Sequence, residues 1–128
     1  MLGLTMMKIY ADEILSGRTA FDARLRPTDI RGRIAIVDST TFRVYGTSEL
    51  TDCREITYEE FVRWHQIGPF SDTPIAPFAE GKVCYAYDLA DVKRLPLPVQ
   101  LPRQEDAGMW IEIPEKTAKN LFSQTTLF

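Results

Sequence analysis

The run GRIAIVDS, residues 32–39, sets four apolar residues in succession between a glycine turn and a serine–threonine cluster. That pattern suits a strand in the middle of a sheet, covered on both faces. Around it the chain alternates with a period of two. Over Thr19–Leu25, the residues Phe21, Ala23 and Leu25 fall on one side, and Asp22, Arg24 and then Arg26 fall on the other. This is the pattern of a half-buried strand with Phe21, Ala23 and Leu25 in the core.

Further strands are expected at Leu2–Met6, once or twice within FRVYGTSELTDCREI (42–56), in KVCYAYDLADVKRL (82–95) and in MWIEI (109–113). The strand over 82–95 is expected to stop at the Pro96-Leu97-Pro98 break, and Gly46 reads as a bulge or a close approach. Two short helices complete the pattern. Ile9, Tyr10, Ile14 and Leu15 recur near helical spacing, and Gly17 follows where a left-handed cap residue belongs. Thr57 and Glu60 form a capping box ahead of YEEFVRWHQI, which groups Phe61, Trp64 and His65. GPFSDTPIAPFAEG (68–81) has three prolines and two glycines and reads as an irregular loop. Beyond Glu115 the chain reads as a polar tail. Many short strands, two helices and frequent turns imply a small α+β barrel or half-barrel.

At 128 residues and 45% hydrophobic content, the chain is long enough for one domain with its own core. Its apolar runs are too short for a membrane helix. MLGLTMMKIYADE lacks the pattern of a leader peptide and reads as mature sequence. Cys53 and Cys84, 31 residues apart, have no partners at zinc-ligand spacing and read as reduced thiols of a cytoplasmic protein. Asp12, Glu13 and the Glu59–Glu60 pair likewise lack metal-ligand spacing, so neither a metal nor a cofactor is expected.

The net charge is −3, with a pI near 5.2, which argues against unspecific grip on duplex nucleic acid. Locally the balance reverses. Between Ser16 and Ala35, Arg18, Arg24, Arg26, Arg31 and Arg33 face only Asp22 and Asp29, five cations against two anions and so +3. Arginine's planar fork suits phosphate oxygens and base edges. Asp22 and Arg24, two apart on a strand, share a face. Either they form a surface ion pair, or Asp22 orients Arg24 within a cleft.

The stretch SGRTAFDARLRP (16–27) resembles the signature of the ASCH domain, a relative of the PUA fold: G-x-K-x-x-E-x-R. Gly17 and Arg24 match it, Thr19 stands in place of the lysine, Asp22 in place of the glutamate, and Arg26-Pro27 follows as in some members. The order of elements over residues 2–113 is also similar, from a first strand and helix to RGRIAIVDST, an EEF helix, YAYDL and a terminal GMW strand. The resemblance implies a small PUA-like β-barrel flanked by two short helices over residues 1–114, followed by a tail over 115–128. It also implies RNA or nucleotide binding in a cleft lined by the motif, the RNA being single-stranded or structured.

Cleft residues on this reading are Gly17, Arg18, Thr19, Asp22, Arg24 and Arg26, with the hydroxyls of Ser39 and Thr40 and the rings of Tyr45, Tyr85 and Tyr87. Ser39, Thr40 and Thr41 have turn capping as the competing role, and the tyrosines have core packing. A minority of such proteins resemble hydrolases, either ribonucleases or an acetylcytidine amidohydrolase. The latter's lysine falls on Thr19 and its threonine on Asp22, so binding is expected ahead of catalysis. His65, the only histidine, reads as a packed helix residue beside Trp64. Finally, Q-T-T-L-F at the chain's end resembles the peptide that bacterial replication and repair proteins dock on the sliding clamp. Leu127 and Phe128 would fill its pocket and Gln124 would add polar contacts, with packing on the chain's own domain as the alternative.

Overall fold

The computed structural model describes residues 1–67 and 81–126, the side chains at 64–67 and 125–126 excepted. Six strands form one sheet in the order β2-β5-β4-β3-β1-β6. They are β1 (Leu2–Met6), β2 (Phe21–Arg24), β3 (Gly32–Asp38), β4 (Arg43–Ile56), β5 (Cys84–Gln100) and β6 (Trp110–Glu112). Among the described residues only β1 and β3 pair in parallel; the other four pairings are antiparallel. Three helices, α1 (Lys8–Leu15), α2 (Tyr58–Ile67) and α3 (Glu115–Thr126), accompany the sheet, which curls into a half-barrel.

Alternation in β3 explains the layers. Ile34 and Ile36 face inward, packing with Leu4, Met6, Leu50, Tyr87 and Leu89 beneath Ala11, Ile14 and Leu15 of α1. Ala35 and Val37 face outward into a second cluster with Val44, Leu95, Ile111 and Ile113, joined by Ala118 and Leu121 of α3. The central apolar run is therefore buried on both sides, as its composition demands. A smaller third cluster, Ile56, Cys84 and Ala86, takes in Phe21, Ala23, Tyr58 and Phe61 behind β2.

Local signals hold where the chemistry is local. Gly17 adopts φ +80° after α1, and its N–H donates to the Ile14 carbonyl. The Glu60 N–H donates to Thr57 Oγ1 at 3.0 Å and the Thr57 N–H to Glu60 Oε1 at 3.3 Å, completing the capping box of α2. At Gly46 a Cβ would stand 2.4 Å from Leu15 Cδ2 and 2.5 Å from the Lys93 carbonyl, so α1 and β5 both close on bare backbone.

Three expectations are corrected. β5 does not stop at Pro96 but runs on to Gln100. Its register against β4 jumps from Gly46↔Arg94 to Val44↔Val99, so both prolines sit in a bulge where no ladder N–H is required. Leu25 is not in the core: β2 ends at Arg24, the alternation ends with it, and Leu25 is 38% exposed. The polar stretch after Pro114 forms α3, a third helix, whose Ala118 and Leu121 complete the outer core. Its apolar positions are few, which hid the helix from a reading based on periodicity. The loop expected at 68–81 and the side chains of Trp64 and His65 lie outside the described residues, apart from Gly81 at the loop's end.

Candidate functional site

The inner face of β2 carries Asp22 and Arg24, and the pairing register extends them into two rows. Asp22 lies opposite Tyr87, which lies opposite Cys53; Arg24 lies opposite Tyr85, which lies opposite Glu55. Residues across a ladder point to the same face, so the six side chains project into the hollow of the curled sheet.

Arg24 organises the hollow. Its Nε donates to Asp22 Oδ2 at 2.5 Å, and its Nη2 donates to the Thr5 carbonyl at 2.6 Å. The side chains of Asp22 and Arg24 are 5% and 20% exposed, so this is a largely desolvated ion pair. Burial pushes the Asp22 carboxyl above the usual carboxylate range, and the charge and hydrogen bond of Arg24 oppose that shift. Tyr10, reaching in from α1, has its phenol raised by burial and by Asp22, with Arg24 acting in the opposite sense.

Tyr87 forms the floor. Its hydroxyl donates to the Arg26 carbonyl and contacts Met109 Sδ, and its ring stacks on Trp110 with centroids 6.4 Å apart and planes 10° apart. Burial, first, and then the neighbouring Cys53 push its phenol up to about 12. The wall on the β6 side is fixed by Thr5, whose Oγ1 donates to the carbonyls of Gly108 and Met109. Burial also raises the thiol of Cys84 behind the sheet, and both cysteines are free.

Asp22, Arg24, Tyr85 and Tyr87 are thus brought together. Tyr45 packs on the edge of the same inner cluster with the Lys8 ammonium 5.6 Å above its ring. Gly17 and Thr19 lie on the turn that feeds β2, and Arg18 folds back from that turn onto the buried Glu13 carboxylate at 3.0 Å. Arg26 is exposed, with its carbonyl anchored by Tyr87. Ser39 and Thr40 occupy the turn after β3, where the buried Asp38 carboxylate accepts from the Thr40 N–H and Thr41 Oγ1. Gln124 is half-buried on α3, while Leu127 and Phe128 lie outside the described residues.

Sequence reading missed Thr5, Tyr10, Cys53, Met109 and Trp110. Only the parity of Cys53 in β4 carried any local sign of its place; the rest arrive through the curl of the sheet. Among the described residues no three His, Cys, Asp or Glu side chains lie close enough to hold a metal ion. No described helix is long and apolar enough to cross a membrane.

No family model and no curated protein matches this chain. Solved structures do. The crystal structure of ASCH from Zymomonas mobilis superposes with a TM-score of 0.68 at 16% identity, covering 97% of this chain and 94% of that chain. Two single-substitution variants of that protein, one tyrosine to phenylalanine and one serine to alanine, give TM-scores of 0.65 and 0.67. Their identities are 17% and 16%, over 97% of this chain and 97% and 95% of theirs. A six-stranded curled sheet with three short helices, matched over nearly its whole length, has the ASCH-type α+β fold.

Proposed function

We propose that the protein is an RNA- or nucleotide-binding module whose ligand enters the hollow between α1 and the curled sheet and meets Arg24. The observation that carries this reading is the Asp22–Arg24 pair. A desolvated ion pair is an expensive way to stabilise a small domain, because removing two charges from water offsets most of their attraction. An arginine held at both Nε and Nη2 is, by contrast, well prepared to present its remaining N–H groups in a fixed plane. Tyr85 and Tyr10 offer rings beside it, Trp110 a third, and unstacked RNA bases are recognised by such rings together with hydrogen bonds to their edges.

The same pair favours binding over hydrolysis. A general base must reach a proton on the substrate, whereas Asp22 is buried and engaged with Arg24. Two free thiols fit a cytoplasmic setting.

The test is affinity for nucleoside monophosphates and short single-stranded RNA, read by titration calorimetry. Arg24→Lys keeps a cation for Asp22 and loses the fork; Arg24→Ala loses both. Each is expected to weaken binding ten-fold or more, with circular dichroism confirming the fold. Wild-type affinity in both variants overturns the site.

A further inference from the structure

Of the five arginines between Ser16 and Ala35, four are paired with carboxylates in the folded chain. Arg18 meets Glu13 at 3.0 Å, Arg24 meets Asp22 at 2.5 Å and Arg31 meets Asp52 at 3.6 Å. Arg33 meets both Glu49 and Asp91. Glu13, Glu49, Asp52 and Asp91 all come from outside the segment. Among the described residues, Arg26 is the one member of the five without a carboxylate partner, and it is exposed. Most of the basic cluster visible in the sequence is therefore paired in the structure: five carboxylates meet four of its arginines, and Arg26 alone of the five has none.

That pairing bears on the ligand. A phosphate at Arg24 would set a second anion beside the buried Asp22 carboxylate, on a guanidinium whose single charge Asp22 already offsets, and the two anions would repel in a desolvated position. A nucleobase edge carries no net charge and can accept from Arg24 without disturbing the pair. Nε and one hydrogen of Nη2 are engaged, and the two N–H groups of Nη1 have no partner among the described residues. Tyr85, directly opposite Arg24 in the ladder and half-buried, places a ring beside those donors. Arg26 follows two residues later, at most about 7 Å away along the chain.

We infer that the hollow takes a single neutral nucleobase by its polar edge at Arg24, and that the basic segment holds no more than one phosphate, at Arg26. This rests on the nucleotide-binding reading and narrows it: the protein reads one nucleotide unit and does not follow an RNA backbone.

The test uses calorimetry on the full chain with cytidine, uridine, adenosine, guanosine, their 5′-monophosphates, inorganic phosphate and a short single-stranded RNA. At least one nucleoside is expected to bind with an affinity unchanged between 50 and 200 mM salt, without competition from inorganic phosphate. Its monophosphate binds more tightly, and the RNA shows a log–log salt slope no steeper than about −0.7, the value for one phosphate. Arg26→Ala removes the monophosphate's advantage over its nucleoside. RNA binding with a slope of about −2 or steeper, or no binding of free nucleosides, overturns the inference and leaves RNA binding standing. So does an Arg26→Ala protein that keeps the monophosphate's advantage. If no nucleoside, nucleotide or RNA binds, both readings fall.

Discussion

Arg24 Nη2 donates to the backbone carbonyl of Thr5 at 2.6 Å, although β2 and β1 are separated in the sheet by β5, β4 and β3. One side chain thus bridges the hollow of the half-barrel, tying the edge strand β2 to β1, the neighbour of the opposite edge strand β6. The same guanidinium holds the buried Asp22, so the contact couples the curvature of the sheet to the charge balance of the candidate site.

Arg24→Ala leaves Asp22 without its cation in a desolvated position and is expected to destabilise the fold by about 3–5 kcal/mol. Replacing both residues, as Asp22→Leu with Arg24→Met, removes the stranded charge along with the pair, and much of the loss should be recovered. Urea unfolding of the two proteins makes the comparison; equal stabilities would show that the pair is not desolvated in solution.

Tyr87 governs the alkaline limb of stability. Its folded pKa, up at about 12, lies above the ordinary 10.0, so its contribution is fully present below about pH 10 and is lost as pH rises from there towards 12. Absorbance titration of the phenolates should show a late tyrosine, in addition to the raised Tyr10, that is missing in Tyr87→Phe. The variant's stability should fall less steeply over that interval, while losing the hydrogen bond to the Arg26 carbonyl at lower pH.

Gly46→Ala forces a methyl against Leu15 and the Lys93 carbonyl at once. The expected cost is about 1–3 kcal/mol, as for other overpacked sites. Adding Leu15→Ala should not restore stability, because the clash with backbone persists and a cavity is added. Thermal unfolding of the single and double variants tests this, and full rescue by Leu15→Ala would show that the side chain alone is the obstacle.

Leu121 is fully buried against the outer face of the sheet. Leu121→Ala is expected to cost about 2–5 kcal/mol in chemical denaturation, the range for emptying a core site. A change below about 0.5 kcal/mol, typical of surface positions, would show that α3 is only loosely attached.

What the sequence alone determined lies within a few residues' reach. The double-sided burial of Ile34–Val37, the left-handed Gly17, the Thr57–Glu60 box and the shared face of Asp22 and Arg24 all follow from local periods and local hydrogen bonds. These act before any strand finds its neighbour. The passage of β5 through Pro96 and Pro98 did not show, since a bulge is a property of two strands in register and not of one. Nor did α3, whose short apolar stripe signals a helix only when an outer sheet face is there to receive it.

The arginines make the division clearest. As sequence, Arg18 to Arg33 form a basic segment that asks for an anion. In the fold, carboxylates at positions 13, 22, 49, 52 and 91 meet four of the five, and Arg33 finds Asp91 from 58 residues away. Charge compensation depends on distance through space, which the order of strands sets. Only the tertiary structure could therefore decide which of the five arginines are paired and that Arg26, among the described residues, has no carboxylate partner.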